Sequence, residues 1–495
     1  MKTAAIFFDQ EPTKPWKTSQ SMANGMMERA VEIAGYRIEE RHYHSAIVAE
    51  NVSLFLPFPH LVHHALPARR RIDAGDPVDL SVYCSGGLSS SPPDRRASKK
   101  NIVFFHVLAN HCLWLGNESI DLFCANSPYF RDVLVSFLAS PIWETQSILD
   151  RRAFSCVELM SLTLPCTEEP SDFVETRGER LSKEVAAILD GQDILGHAMQ
   201  GGNKTDYKAT CAIMLHANRV ALERGLGRRV RLMVNAAELH YLREHLKRVP
   251  EDGEALYGAL AKLRLSLDDI FVPVPFLQQR DLFKVFARCE FGLAYNGLPD
   301  SFGFYPLESV FHGCPVYTNG AGAMRSTLPP AHGINVFETE GMAFGADLSE
   351  YAAVAEAVVG DVVTSPRLAP QCRLGREYIA THYGRRNTYS DMSRCIARAE
   401  SVPRKPSWEF RDLVLTLSPL VRIWNAATGG LVSDYAAMRL TAEDRAVLRD
   451  AIGRTAADAT RLFTGEAFGK IRQYFERGIL TFEVPESERT SASPG

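Results

Sequence analysis

Residues 300–316 read DSFGFYPLESVFHGCPV. Asp300 opens the stretch, Glu308 stands eight positions later, and an apolar run, Cys314-Pro315-Val316, closes it. The preceding EFGLAYNG (290–297) reads as a buried strand, so 300–316 is predicted to be a loop, a helix starting near Tyr305 and a second strand. In an open parallel sheet, ligands collect beyond the carboxyl ends of the strands, where this loop falls. Gly303 lets the backbone approach a ligand closely. The positive end of the helix and its first N–H groups favour a diphosphate, and Pro306 gives up one donor in a turn that tolerates it. A carboxylate one turn into that helix would repel a phosphate, so Glu308 suits a neutral diol such as a ribose. Asp300, on the loop, suits sugar hydroxyls. Both acids also have plainer readings: Asp300 as a helix-entry residue, Glu308 as a charge complementing the helix dipole.

Outward from this stretch, strands and helices alternate. TAAIFF (3–8) reads as a first buried strand, followed by a helical repeat closed by Gly35. NVSLFLPF (51–58), VDLSVYC (78–84), NIVFFHVL (101–108) and SIDLFCANS (119–127) are further strand candidates, and Ser127-Pro128 caps and opens a helix. The charged, turn-rich segment after Pro165 reads as a linker. A second series follows: QDILGHAM (192–199), a long helix to Gly225, RRVRLMVNA (228–236), DDIFVPVPF (268–276) and the helix RDLFKVFARC (280–289). The expectation is an α/β protein of two Rossmann-like domains, 1–165 and 166–400, facing a cleft. Residues 401–495 are expected to be a helical extension, with Thr441 and Asp444 as a capping box, available for packing or homo-oligomer contact.

Composition narrows the classes. Hydrophobic residues make 46% of the chain and charged residues 23%, with a formal net charge of −4, so there is no global attraction to nucleic acid. The scattered Arg and Lys clusters read as solvated loops. Ten cysteines occur singly, without a C-x-x-C pair, which argues against a disulfide scaffold and for a reducing cytoplasm. No run suffices to span a bilayer, and no integral membrane segment is expected. There is no D-x-D, no cluster with metal-ligand spacing, no P-loop and no G-x-S-x-G elbow.

The run Asp300-x7-Glu308 around Phe302-Gly303, followed by Gly313-x-Pro315-Val316, resembles the signature of retaining GT-B glycosyltransferases, specifically the large family-4-like group, which carries two glutamates separated by seven residues. That resemblance implies a metal-independent transferase that needs no cofactor and takes a UDP- or GDP-sugar donor and a small-molecule acceptor. It implies that Glu308 binds the ribose and that Asp300, here one methylene shorter than the usual Glu, contacts the donor sugar. Gly303, Phe304, Tyr305 and Leu307 then line the donor. The family usually places a Gly-Arg and then a Lys at the start of the second domain to hold the diphosphate. The matching stretch here is GHAMQGGNKTDYK, which puts Lys204 at the lysine and His197 at the arginine. A histidine is only partly charged near neutrality, so the clamp leans on Lys204. Lys204 also reads as a solvated lysine at a helix start. In the first domain the family often places a His near the reacting carbon. His106 is the candidate, His111 competes, and a satisfied core histidine is the plainer reading. Gln10 and Glu11, after the first strand, are candidates for acceptor contact.

Two rivals keep the same residues. A nucleotide-sugar 2-epimerase of similar fold would bind the donor and need added acid/base carboxylates, for which the sequence nominates none. A non-catalytic homologue that only binds donor is kept open by the departures at Asp300 and His197. The atypical motif also suggests a specialised route such as natural-product biosynthesis.

Overall fold

The computed structural model describes residues 1–8, 19–43, 78–85, 98–105, 120–139, 157–168, 183–198, 204–340, 348–364, 368–401, 413–434 and 436–483. The chain divides into two units. The first comprises Met1–Thr163, Asp300–Phe302 and Tyr383–Gly495; the second comprises Leu164–Pro299 and Gly303–His382.

The first unit is built on β1 (Lys2–Phe8), β2 (Tyr36–Tyr43), β3 (Val78–Ser85), β4 (Ser98–Phe105), β5 (Leu122–Ala125) and β6 (Val157–Leu159). They form one parallel sheet in the order β2-β1-β3-β4-β5-β6. Ala4–Phe8, Ile102–Phe105 and Leu122–Ala125 are buried throughout, the unbroken apolar runs expected of strands covered on both faces. Helix α1 (Ser19–Ile33) follows β1, and α2 (Pro128–Ala139) follows β5, with Ser127 Oγ accepting from Phe130 N at 3.1 Å as its cap. The strand candidate at 51–58 lies outside the described residues. β2 was not anticipated: YRIEERHY is an edge strand, so charged side chains break its apolar pattern.

The second unit carries α3 (Lys183–Leu189), β7 (Ile194–Ala198), α4 (Tyr207–Glu223), β8 (Val230–Asn235), α5 (Ala236–Arg248), α6 (Pro250–Lys262), α7 (Leu267–Ile270), β9 (Phe271–Val274), α8 (Gln279–Phe286), β10 (Phe291–Ala294), α9 (Phe304–Phe311), β11 (Val316–Thr318), β12 (Ile334–Val336), α10 (Ala352–Thr364) and α11 (Ala369–His382). Its parallel sheet runs β12-β11-β10-β7-β8-β9. Counted from β7, that is the doubly wound order 3-2-1-4-5-6, whose direction reverses between β7 and β10. One face packs Leu232, Phe291 and Leu293 against α4 and α10; the other packs Leu195, Met233 and Val272 against Val285 and Cys314. The chain is therefore an α/β protein with two Rossmann-like domains.

Beyond His382 the chain returns to the first unit, so the second unit ends at 382 rather than at 400. Helix α12 (Arg385–Ser401) packs there through buried Met392, Cys395, Ile396 and Ala399 and through charge: Glu158 on β6, 3% exposed, receives Arg394 at 3.5 Å and Arg398 at 3.3 Å. The extension is not wholly helical. It holds β13 (Val414–Leu417) paired with β17 (Leu480–Glu483), and an antiparallel sheet of β14 (Val421–Trp424), β15 (Gly430–Ser433) and β16 (Ala437–Arg439). Helices α13 (Ala442–Ala451), α14 (Ala456–Leu462) and α15 (Gly465–Glu476) complete it, α13 opening on the expected Thr441/Asp444 capping box. The strands are three or four residues long, too short for alternation to stand out. An Asn425 turn, whose Oδ1 accepts from Ala427 N and Thr428 N, makes the β14–β15 hairpin, and the buried Asp434 accepts from Tyr129 of α2 at 2.6 Å.

Candidate functional site

The switch point of the second sheet collects three segments. After β7 the chain re-enters at Lys204. Thr205 bridges Asn296, Asp206 N donates to Tyr295 O at 2.8 Å, and Gly297 N donates to Lys204 O at 2.7 Å. Lys204, half-buried, is thereby tied to the loop leaving β10. After β11, Asn319 closes on the same loop: its Nδ2 donates to Asn296 O at 2.8 Å, and Asn296 N donates to its Oδ1 at 3.2 Å.

The third segment is the start of α9. Gly303 sits at φ 84°, ψ 52°, and a Cβ there would meet Met324 Cγ at 3.3 Å. Both the backbone conformation and the close neighbour call for glycine. The helix begins at Phe304, one residue before the expected Tyr305. Phe304 and Tyr305 are half-buried, while Leu307 is fully buried and serves as a core residue. Asp300 is half-buried and counts with the first unit, as does Ser301, whose carbonyl accepts from Ser127 Oγ.

Glu308 is 5% exposed. Gln279, the first residue of α8, donates from Nε2 to its Oε2 at 2.7 Å. Its Oε1 is buried and accepts no hydrogen bond among the described residues. Burial raises its pKa to about 8, with the Gln279 bond opposing. A buried acceptor left open costs about 1–3 kcal/mol, so this oxygen is poised for an incoming donor.

His197 corrects an expectation. It lies within β7, wholly buried, with Nδ1 2.6 Å from Tyr305 Oη and Nε2 3.0 Å from Ser309 Oγ. Ser309 Oγ in turn donates to Cys314 O at 3.0 Å. Because the Ser309 hydroxyl proton goes to Cys314, Nε2–H donates to Ser309; the single Tyr305 hydroxyl proton then serves both Nδ1 and the His197 carbonyl oxygen, 2.8 Å away. Burial takes the imidazole down to about 3, so it is neutral and binds α9 to β7 instead of clamping a diphosphate. The strand's inward face, which packing decides, put it there.

Gln10, Glu11 and His106 lie outside the described residues. Sequence reasoning missed Gln279, Asn296 and Asn319, as well as Glu238 on α5. Glu238 borders a small cavity with Ala198, Val234 and Phe271, accepts from Thr205 Oγ1 and Tyr207 Oη, and has its pKa raised by burial. Asn-Gly at 296–297 and 319–320 was the signal for the paired asparagines; Gln279 and Glu238 left none. Among the described residues no His/Cys/Asp/Glu group could hold a metal ion, and no helix is long and apolar enough to cross a membrane.

No protein-family model matches the chain, and no curated protein matches it. Several solved structures are similar in part. A glycosyltransferase from Rickettsia africae ESF-5 aligns at 9% identity and TM-score 0.46, covering 81% of this chain and 99% of its own. HepE of Anabaena in complex with UDP aligns at 12% and 0.46, covering 81% and 100%. An alpha,alpha-trehalose-phosphate synthase (UDP-forming) from Burkholderia vietnamiensis aligns at 12% and 0.48, covering 81% and 99%. At these identities and TM-scores the likenesses assign no chemistry to this chain; its own side chains have to.

Proposed function

We propose that the chain is a glycosyltransferase of the family-4-like kind, moving a sugar from a UDP- or GDP-linked donor to a small or medium polar acceptor with retention of configuration. The observation that supports this most is the open Oε1 of Glu308, buried one turn into a helix that starts from a left-handed glycine at the sheet's switch point. A vicinal diol supplies the donors that oxygen lacks. The positive start of α9 and the Lys204 ammonium then hold the diphosphate without a metal ion. Asp300 orients the donor sugar, His106 is the proposal's catalytic histidine near the reacting carbon, and Gln10 and Glu11 are its acceptor contacts.

In the reaction, the acceptor hydroxyl oxygen bonds to the anomeric carbon on the face from which the diphosphate leaves. The carbon–oxygen bond to the diphosphate breaks, its electron pair stays on the diphosphate, and the acceptor's proton moves to the leaving oxygen. The protein's part is electrostatic: it stabilises the departing charge. We place the protein in a reducing cytoplasm on the single spacing of its cysteines.

A thermal-shift screen with UDP- and GDP-sugars in EDTA tests the reading, because a ligand that binds only the folded state raises the melting temperature. At least one donor is expected to do so. Activity with that donor that vanishes on extensive chelation and returns only with Mg²⁺ or Mn²⁺ would overturn the metal-free part.

A further inference from the structure

We propose that Gln279 is the positioning residue of this site: by donating to Oε2 of Glu308 it fixes the carboxylate so that Oε1 faces a ribose diol. The inference rests on the ribose reading of Glu308. It comes from the one hydrogen bond the carboxylate makes among the described residues, 2.7 Å from Gln279 Nε2, and from the absence of any partner there on the other oxygen. Residues 279 and 308 are the first residue of α8 and the fifth of α9, so the bond ties together two helices on one side of the site.

An amide is suited to this task in a way a cation is not. Lys or Arg at 279 would neutralise the carboxylate and compete with the diol for it. Glutamine donates a single N–H and adds no charge of its own, so wherever the acid is ionised Oε1 is a strong acceptor. Among the described residues, the groups that act on Glu308 or on its neighbouring thiol are Gln279, Cys166 and, on that thiol, Arg376 of α11. Gln279 reaches it from α8, and the Cys166 thiol lies within its field from the turn Pro165–Thr167. That thiol is neutral, its own pKa pushed up by burial and by the carboxylate. Ionisation of Glu308 is thus set by burial against one donor, and removing that donor must move it further toward the protonated form, which offers the diol a poorer acceptor.

The test compares a nucleoside diphosphate with its 2′-deoxy form, UDP against 2′-deoxy-UDP and GDP against 2′-deoxy-GDP, by calorimetry between pH 6 and 9.5. The ratio of the two affinities cancels titration of the phosphates and the base and reads the diol contact alone. The wild type is expected to prefer the ribose form by about tenfold, with a preference that grows as pH rises toward 8. Gln279→Leu is expected to lose most of the preference at pH 7 and to recover part of it about one pH unit higher, with its melting temperature little changed. Glu308→Gln should lose the preference at every pH. If Gln279→Leu keeps the wild-type ratio and pH profile while Glu308→Gln abolishes the preference, Gln279 does not position the acid. If Glu308→Gln leaves the ratio unchanged, the ribose reading itself fails, and the inference with it.

Discussion

The two faces of α9 bury one titratable group each, and they differ in what burial leaves behind. Toward β7, His197 has both ring nitrogens engaged, by Tyr305 and Ser309. Toward α8, Glu308 has one oxygen engaged by Gln279 and one engaged by nothing among the described residues. Both are taken off their ordinary pKa by desolvation, the imidazole down to about 3 and the carboxyl up to about 8. A shifted pKa alone would nominate either as functional. The completeness of their hydrogen bonds separates them: a closed network holds the fold, and an open one waits for a ligand.

The largest expected effect lies on the closed side. His197→Ala removes a buried ring and strands Tyr305 and Ser309, so stability should fall by about 3–5 kcal/mol; urea unfolding measures it. A value near zero would mean that the network is ornamental.

Acid and alkali should act on the two groups in opposite senses. His197 has a folded pKa below its unfolded one, so it contributes stability at pH above 6.5 that is lost as pH falls toward 3. Glu308 has a folded pKa above its unfolded one, so its contribution is present below pH 4.5 and lost as pH rises through 8. Glu308→Gln should therefore raise stability at pH 8.5, by on the order of a few kcal/mol, and leave it nearly unchanged at pH 4.5. Melting curves at the two pH values decide it, and a variant less stable at pH 8.5 would place a compensating cation beside the acid.

Gly303→Ala tests the turn between the two regions. A side chain at φ 84° beside Met324 should cost about 1–2 kcal/mol and weaken nucleotide binding through displacement of the start of α9. Stability and affinity that both stay at wild-type values would show that the turn tolerates a side chain.

The smallest effect on binding should come from Asp300→Ala. It is expected to spare nucleoside diphosphate affinity and to reduce kcat/KM with the preferred donor, by up to about a hundredfold if sugar placement shifts by an ångström. Asp300→Glu should also lower kcat/KM. Near-full activity in the alanine variant would make Asp300 a helix-entry residue.

What the sequence disclosed follows the range over which its signals act. Gly303, Glu308 and the strand after them lie within one short stretch, and a helix start beyond a buried strand is a local pattern. Lys204 was legible for the same reason, as the first cation after β7. His197 was placed in the correct strand but given the wrong task, because which side of a strand is sealed depends on Tyr305 and Ser309, more than a hundred residues away. Gln279 meets Glu308 across 29 residues and belongs to no pattern. The extension after 413 hid its strands because VLTL, VRIW and GLVS are too brief to show a period, and the return of α12 to the first unit depends on partners far off in sequence, Glu158 for Arg394 and Arg398 and Thr163 for Thr388.

The central claim, that Glu308 is the open acceptor of a nucleotide site, is tested most directly by calorimetric titration of UDP and of GDP into the wild type and Glu308→Ala at pH 7.5 in EDTA. The wild type is expected to bind at least one of them, and the variant, still folded, to bind it more weakly by about 1.5–3 kcal/mol. A wild type that binds neither, or a folded variant that binds as tightly, would contradict the account.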